Sequence, residues 1–250
     1  MMGEPLQIID LLRQAALCHR DARIISRCPD GRIHRYTYSE AWDRVNRLAH
    51  ALSSLSIETG DRIGTIAWND FRHFELYYAL SGSGAVIHTI NPRLSDEQIV
   101  YIINHAQDRF RFVHPDFLPL LDRISPQLST IEGVFLLDDS SEASDTEPGE
   151  IHRYEDLLDS EADDFPWPQL EEATAASLCY TSGTTGKPKG VLYSNRSTLL
   201  HARAVAGSEG WSLSSFSTVL AVVPMFHASA WGLPYAAPMM GSNLVLPGGR

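Results

Sequence analysis

Eleven consecutive residues, Tyr180 to Gly190, read YTSGTTGKPKG and combine the residue types that bind phosphate. Three glycines allow backbone N–H groups to converge on one anion, and the serine and threonine hydroxyls can bind phosphate oxygens or a metal ion. Lys187 and Lys189 add point charges suited to a polyphosphate. They are the only two lysines of the chain, which otherwise uses arginine for every basic side chain. The segment therefore predicts a phosphate-binding loop.

Two other interpretations of this segment have to be weighed. A Walker A loop, G-x-x-x-x-G-K-[ST], needs a glycine where Thr181 stands and a serine or threonine where Pro188 stands. Pro188 also disfavours helical geometry at Lys187, so the helix of a Walker loop cannot start there. A Gly/Thr-rich hairpin turn that binds nothing stays open from composition alone.

Charge and composition exclude several classes of protein. The 250 residues carry a formal net charge of −11, and residues 138–164 alone account for it. Such a balance argues against a nucleic-acid partner, because phosphate contacts need a surplus of lysine and arginine. Cys18, Cys28 and Cys179 form no C-x-x-C pair, so neither a disulfide framework nor a cysteine zinc site is expected.

Location is predicted from the same composition. The three unpaired cysteines favour the reducing cytoplasm, and the N-terminus lacks the basic region of a secretory signal. Residues 210–249 contain no formally charged residue, but four prolines interrupt them, and no run approaches the ~20 apolar residues of a spanning helix. We interpret 210–249 as buried structure of a protein without a transmembrane segment.

Strand and helix signals alternate on both sides of the loop. Such alternation forms a sheet whose edge can position the loop. Capping boxes at Thr37–Glu40 and Ser95–Gln98 predict two helix starts, and Ser194 or Asn195 can cap a third helix that ends at Gly207. The predicted strands are 22–27, 32–36, 62–67, 85–90, 110–114, 134–137, 175–181 and 191–194. This alternation predicts an α/β fold of mostly parallel sheets layered with helices.

Three regions are expected along the chain. Residues 1–137 form an α/β region, 138–165 an acidic connecting segment, and 166–250 the region with the phosphate loop and a substrate pocket. The acidic segment is predicted to be a solvated loop, with a binding role for a cationic partner as the alternative.

The segment 180–190 resembles the signature phosphate loop of the adenylate-forming superfamily, which includes acyl-CoA synthetases. A second match is Pro224-Met225-Phe226-His227 followed by Ala230-Trp231-Gly232-Leu233-Pro234, similar to the family's aromatic–histidine segment beside the carboxylate substrate. Asn91-Pro92-Arg93-Leu94 is similar to the fatty-acyl-CoA synthetase branch. The fold implied is a partial N-terminal domain of an acyl-CoA synthetase.

The resemblance implies a two-step reaction. A carboxylate attacks the α-phosphate of Mg-ATP to give an acyl-adenylate and pyrophosphate, and coenzyme A then displaces AMP. ATP, coenzyme A and a fatty acid are the implied substrates, with Mg²⁺ as cofactor. An amino-acid substrate is disfavoured, because no acidic residue stands near His227 to pair with an ammonium group.

The resemblance also assigns residues. Lys187 and His227 would be catalytic, Thr184 would bind Mg²⁺, and Lys189 would support the loop. The phosphate-binding residues would be Thr181, Ser182, Gly183, Thr184, Thr185, Gly186, Lys187 and Lys189. The acyl pocket would include His227, Ala230, Trp231 and Gly232, although tryptophan is ordinarily a core residue.

Two departures limit what the resemblance implies. Ala228-Ser229 replaces a pair that is often Val-Asn, which leaves the acyl length open. The family's later motifs are absent, so the chain is expected to be the N-terminal part of a longer enzyme, inactive alone and able to form a homodimer. The alternatives are an aromatic or short-chain acyl-CoA ligase, and a non-catalytic nucleotide-binding or dimer-forming module.

Overall fold

The computed structural model describes residues 4–138, 151–159, 161–181 and 187–249. Within these ranges the strands are β1 Arg23–Arg27, β2 Ile33–Thr37, β3 Arg62–Ile66, β4 Val86–Thr89, β5 Phe110–Val113, β6 Gly133–Leu136, β7 Ile151–Arg153, β8 Ala175–Thr181, β9 Lys189–Ser194, β10 Thr218–Leu220 and β11 Asn243–Leu246. The helical segments are α1 Ile9–Cys18, α2 Tyr38–Ser54, α3 Phe71–Ser83, α4 Asp96–Ala106, α5 Leu118–Ile124, α6 Tyr154–Leu158, α7 Asn195–Ala206, α8 Ala228–Trp231 and α9 Leu233–Met240.

These strands form two sheets. The larger has seven strands in the order β7-β6-β5-β3-β4-β8-β9, parallel throughout except for β9, which runs antiparallel to β8. The smaller has the order β10-β11-β1-β2, in which only β2 is antiparallel to its neighbour. The predicted α/β class with mostly parallel sheets is confirmed. Both sheets take strands from either side of the acidic segment.

Local sequence signals account for the helices that position the loop. The two predicted capping boxes are present, at Thr37–Glu40 before α2 and at Ser95–Gln98 before α4. Ser194 accepts a hydrogen bond from the Ser197 amide and so starts α7. Each side chain satisfies amide donors that the first helical turn leaves without a partner, which fixes where the helix begins.

Helix α3 is buried on nearly all its faces and is the centre of the main core. Apolar residues from α1 and α2 surround it, together with β3, β4 and the buried α9. Its Glu75, fully buried, accepts hydrogen bonds from Arg44 at 2.7 Å and from the Tyr154 hydroxyl at 2.7 Å. A buried carboxylate is tolerated because these donors replace its water.

The solvated-loop prediction for the acidic segment is wrong for residues 151–158. This stretch adds β7 to the edge of the large sheet and continues into α6, where Tyr154 and Leu158 are buried. Glu155 pairs with Arg44 at 3.0 Å and with the fully buried Arg72 at 2.8 Å. The many acidic residues suggested a solvated loop, but the apolar side chains among them pack against the protein and order the segment. Residues 139–150 lie outside the described ranges.

The uncharged stretch is only partly buried, which corrects a second prediction. Helix α9 lies in the core, but Phe216 is 96% exposed and Val222 is 71% exposed. The absence of charge therefore does not imply burial here. No helix in the described ranges is long and apolar enough to cross a membrane.

Candidate functional site

The segment singled out by sequence connects β8 to β9. Thr181 pairs with Lys189, and Tyr180 pairs with Gly190, so the two strands hold both ends of the connection side by side. Residues 182–186, which include the predicted ligands Ser182, Gly183, Thr184, Thr185 and Gly186, lie outside the described residues. β8 is parallel to β4, and the connection therefore leaves the sheet at the carboxyl ends of its parallel strands, where α/β folds bind ligands.

The described residues on the two sides of this connection contact helix α4. The Lys187 ammonium lies over the Tyr101 ring, 5.3 Å from its centroid. The Tyr180 hydroxyl and His105 Nδ1 share a hydrogen bond of 2.7 Å. Burial raises the pKa of Tyr180 to about 12, so this hydroxyl stays neutral near pH 7. A side chain at Gly190 would place its Cβ 3.1 Å from Leu178 and 3.2 Å from the Tyr180 ring, so these side chains would have to shift to admit it.

Asn69, just before α3, binds the backbone of the chain that leads into the predicted aromatic–histidine segment Pro224–His227. Its side-chain amide donates to the carbonyls of Ala221 at 2.7 Å and Val223 at 2.8 Å, and its Oδ1 accepts from the Met225 amide at 2.6 Å. The Tyr77 hydroxyl donates to the Met225 carbonyl at 2.6 Å. These contacts fix the backbone that leads into His227. No local pattern in the sequence points to Asn69, because its partners lie about 150 residues away.

The short helix α8, directly after His227, is left-handed. Ala228, Ser229, Ala230 and Trp231 have φ values of 45°, 51°, 48° and 56°. Four consecutive residues with a Cβ in this conformation are unfavourable, by about 1–2 kcal/mol each. Strained backbone of this kind is found at ligand sites when the surrounding structure enforces it. Here the enforcing contacts are those of Asn69 before the turn and of α9 after it.

A cavity of about 280 Å³ lies beside this turn. Of the residues assigned to the acyl pocket by resemblance, Trp231 and Gly232 line this cavity, whereas Ala230 is fully buried and His227 lies exposed at the start of the turn. The wall residues that sequence analysis missed come from β8, β9, α7, the turn and α9: Ser177, Tyr193, Ser197, Thr198, His201, Ala228, Ser229 and Tyr235. Neighbouring strands and helices bring them together, so no spacing pattern reveals them.

His201 and Trp231 shape the mouth of this cavity. His201 Nε2 lies 3.2 Å from the Trp231 carbonyl, and a Cβ at Gly232 would be 2.8 Å from the His201 ring. Glycine is therefore favoured at position 232 for two reasons: the φ of 82° is left-handed, and the His201 ring leaves no space for a Cβ. Trp231 is 54% exposed, although it also lines the cavity.

No group of three or more His, Cys, Asp or Glu side chains that could hold a metal ion occurs in the described part of the chain. Mg²⁺ prefers oxygen ligands, and the resemblance assigns it to a hydroxyl of the loop. The predicted hydroxyl, that of Thr184, belongs to the undescribed residues.

Comparison with known proteins identifies the family of this chain. The chain matches the AMP-binding enzyme family over residues 12–250 and therefore belongs to that family. The predicted membership of the adenylate-forming superfamily is thus confirmed.

Curated relatives are acyl-CoA ligases. The chain is 47% identical to 3-methylmercaptopropionyl-CoA ligase of Ruegeria lacuscaerulensis, over 99% of this chain and 46% of that protein. It is 47% identical to medium-chain-fatty-acid–CoA ligase of Ectopseudomonas oleovorans, over 99% of this chain and 45% of that protein. It is 43% identical to long-chain-fatty-acid–CoA ligase of Thermus thermophilus, over 100% of this chain and 44% of that protein. The chain spans less than half the length of these relatives.

Solved structures show the same fold. A long-chain-fatty-acid-CoA ligase of Archaeoglobus fulgidus superposes with a TM-score of 0.84 at 24% identity, covering 99% of this chain and 49% of that one. The N-terminal domain of FACL13 of Mycobacterium tuberculosis gives 0.79 at 24% identity, covering 96% of this chain and 56% of that one. The fold is therefore that of the N-terminal portion of acyl-CoA ligases.

Proposed function

We propose that this chain supplies the phosphate loop and the acyl pocket of an AMP-forming fatty-acyl-CoA synthetase. The observation that carries the proposal is the position of Lys187. One of only two lysines in the chain, it directly follows the Gly/Thr-rich loop at the carboxyl edge of a parallel sheet, in a chain of the AMP-binding family.

The loop serves the first half of the reaction. A carboxylate oxygen attacks the α-phosphorus of Mg-ATP, the bond to the β-phosphate oxygen breaks, and pyrophosphate leaves with the developing negative charge. Backbone N–H donors of the loop and the Lys187 ammonium offset that charge without reorganising water. Thr184 would bind Mg²⁺, and Lys189, on β9, would hold the loop to its strand. His227, exposed at the start of the left-handed turn, would lie against the carboxylate.

The acyl tail would occupy the cavity beside Trp231. No acidic side chain lines it among the described residues, so the ammonium group of an amino acid would be left without a partner. An apolar tail fits this wall better. A volume of about 280 Å³ is just below the usual ~300–1,000 Å³ of ligand pockets and favours a short or medium tail over a long one.

The relatives do not determine which carboxylic acid is the substrate. The chain has similar sequence identity to ligases named for a methylmercaptopropionyl, a medium-chain and a long-chain substrate. An aromatic or short-chain acid is the second candidate, favoured by the small cavity. A non-catalytic nucleotide-binding or dimer-forming module is the candidate from another class. We further propose a cytoplasmic location, a homodimer, and the division into residues 1–137, 138–165 and 166–250.

The test compares the 250-residue chain with the whole protein that contains it. Each is incubated with ATP, Mg²⁺, coenzyme A and a panel of straight-chain, branched and aromatic acids, and AMP and acyl-CoA are measured. The whole protein is expected to form both products with aliphatic acids, and the 250-residue chain is expected to form neither. Release of ADP in place of AMP, or no acid-dependent AMP from the whole protein, would contradict the proposed function.

A further inference from the structure

One face of helix α4 contacts the residues on both sides of the phosphate loop. Tyr101 and His105 are four residues apart and therefore lie on the same helix face. Tyr101 lies under the Lys187 ammonium, which follows the loop, and His105 shares its hydrogen bond with Tyr180, which precedes the loop. The Tyr101 and His105 rings are themselves 5.3 Å apart, so the contacts form one continuous row.

The end of α4 is fixed to the sheet by a buried side-chain contact. His88 Nδ1, on β4, lies 2.8 Å from the carboxylate of Asp108, two residues beyond the helix, and both side chains are fully buried. The position of Gly64 on β3 leaves room for this carboxylate, since a Cβ there would be 2.9 Å from Asp108 Oδ2. The His88 ring is 5.1 Å from that of Tyr180. Helix α4 is thus a rigid support next to the loop.

We infer that Tyr101 and His105 are positioning residues that hold Lys187 and β8 ready for a polyphosphate, an inference that rests on the proposed function. A lysine side chain has four rotatable bonds, and ordering it at the moment of binding weakens affinity. The Tyr101 ring restrains the ammonium on one side and leaves its other donors available to phosphate oxygens. The gain in affinity from this preorganisation is limited by the strength of an exposed cation–π contact, which corresponds to about two- to five-fold.

The small number of lysines allows a direct measurement on the 250-residue chain. Reductive methylation with ¹³C-formaldehyde keeps the charge and labels only Lys187, Lys189 and the terminal amine. The variants K187R and K189R assign the NMR signals, and Lys189 is the internal control. The ring current of Tyr101 is expected to shift the Lys187 methyl signals upfield of those of Lys189.

Tyr101→Leu is expected to abolish this shift and to weaken the binding of tripolyphosphate, the probe, two- to five-fold from a wild-type Kd of ~1 mM. Tyr101→Phe keeps the ring and is expected to retain both the shift and the affinity. Tyr180→Phe removes only the hydroxyl that meets His105 and is expected to weaken tripolyphosphate binding about two-fold. Circular dichroism melts verify that each variant is folded.

The outcomes separate this inference from the proposed function. Equal tripolyphosphate affinity in wild type and folded Tyr101→Leu, or equivalent methyl shifts for Lys187 and Lys189 in wild type, would overturn the positioning role alone. Tripolyphosphate that moves neither lysine signal of the wild-type chain would overturn the phosphate-binding function, and the positioning role with it.

Discussion

The seven-stranded sheet and the uncharged stretch 210–249 differ in how completely their side chains are buried. Around the central strands β3, β4 and β5, helix ends are capped, apolar side chains are buried, and the buried carboxylate of Glu75 has partners. In 210–249, Phe216 and Val222 are exposed and the backbone makes a left-handed turn without a glycine inside it. The comparison indicates that the sheet provides a packed frame, while residues 210–249 keep backbone strain and accessible apolar surface.

The largest expected effect concerns the frame. Glu75→Ala removes a fully buried carboxylate and leaves the mostly buried Arg44 with an incomplete set of partners. Such a change is expected to lower the free energy of unfolding by about 3–5 kcal/mol. Glu132→Ala breaks the half-exposed pair with Arg109 and should cost less than about 1 kcal/mol. Urea unfolding of both variants measures the difference, and equal losses would show that the buried network does not stabilise the frame.

The next effect concerns residues 210–249. Trp231→Ala in the whole protein enlarges the cavity mouth and is expected to change the ratio of kcat/KM between a longer and a shorter acid by about ten-fold. The matched control is Phe216→Ala, because Phe216 is 96% exposed and does not line the cavity. An unchanged chain-length profile in Trp231→Ala would assign that residue to packing alone.

A smaller effect tests the strain in the left-handed turn. Ala228→Gly is expected to raise the free energy of unfolding by about 1 kcal/mol, because glycine adopts a φ of 45° without a Cβ clash. The same substitution in a right-handed helix, Ala204→Gly in the exposed part of α7, should lower it by about 0.5–1 kcal/mol. Thermal melts of the two variants should move in opposite directions. Two decreases would argue against the left-handed geometry.

The smallest effect depends on pH. Burial raises the pKa of Asp70, the cap of α3, from its usual 3.8 to about 6. The folded protein therefore binds this proton more tightly than the unfolded chain, so protonation stabilises the fold as pH falls through about 6. Asp70→Asn keeps the cap without titrating. Relative to that variant, wild type is expected to gain up to about 1 kcal/mol between pH 7 and pH 5.5 in urea unfolding. If the difference in free energy of unfolding between wild type and Asp70→Asn stays constant over this pH range, the raised pKa of Asp70 is contradicted.

The features that sequence could predict are local in origin. Thr37, Ser95 and Ser194 start helices through contacts three residues ahead, and the family membership is predicted from the contiguous segment 180–190. The contacts that shape the site, such as Asn69 with Met225, cross long stretches of chain and leave no spacing pattern. The left-handed turn could not be predicted from the sequence either, because Ala228–Trp231 contains neither the glycine nor the asparagine that usually marks this conformation.

The most direct test of the central claim is ATP–pyrophosphate exchange in the whole protein that contains this chain. If the Gly/Thr-rich loop and Lys187 stabilise the leaving pyrophosphate, exchange should depend on an added carboxylic acid. Lys187→Ala and Thr184→Ala should each lower it by ~10²–10³-fold while leaving the melting temperature unchanged. Lys189→Ala, two residues further on, should have a much smaller effect. Wild-type exchange in folded Lys187→Ala would show that this lysine does not act on the phosphates and would contradict the account.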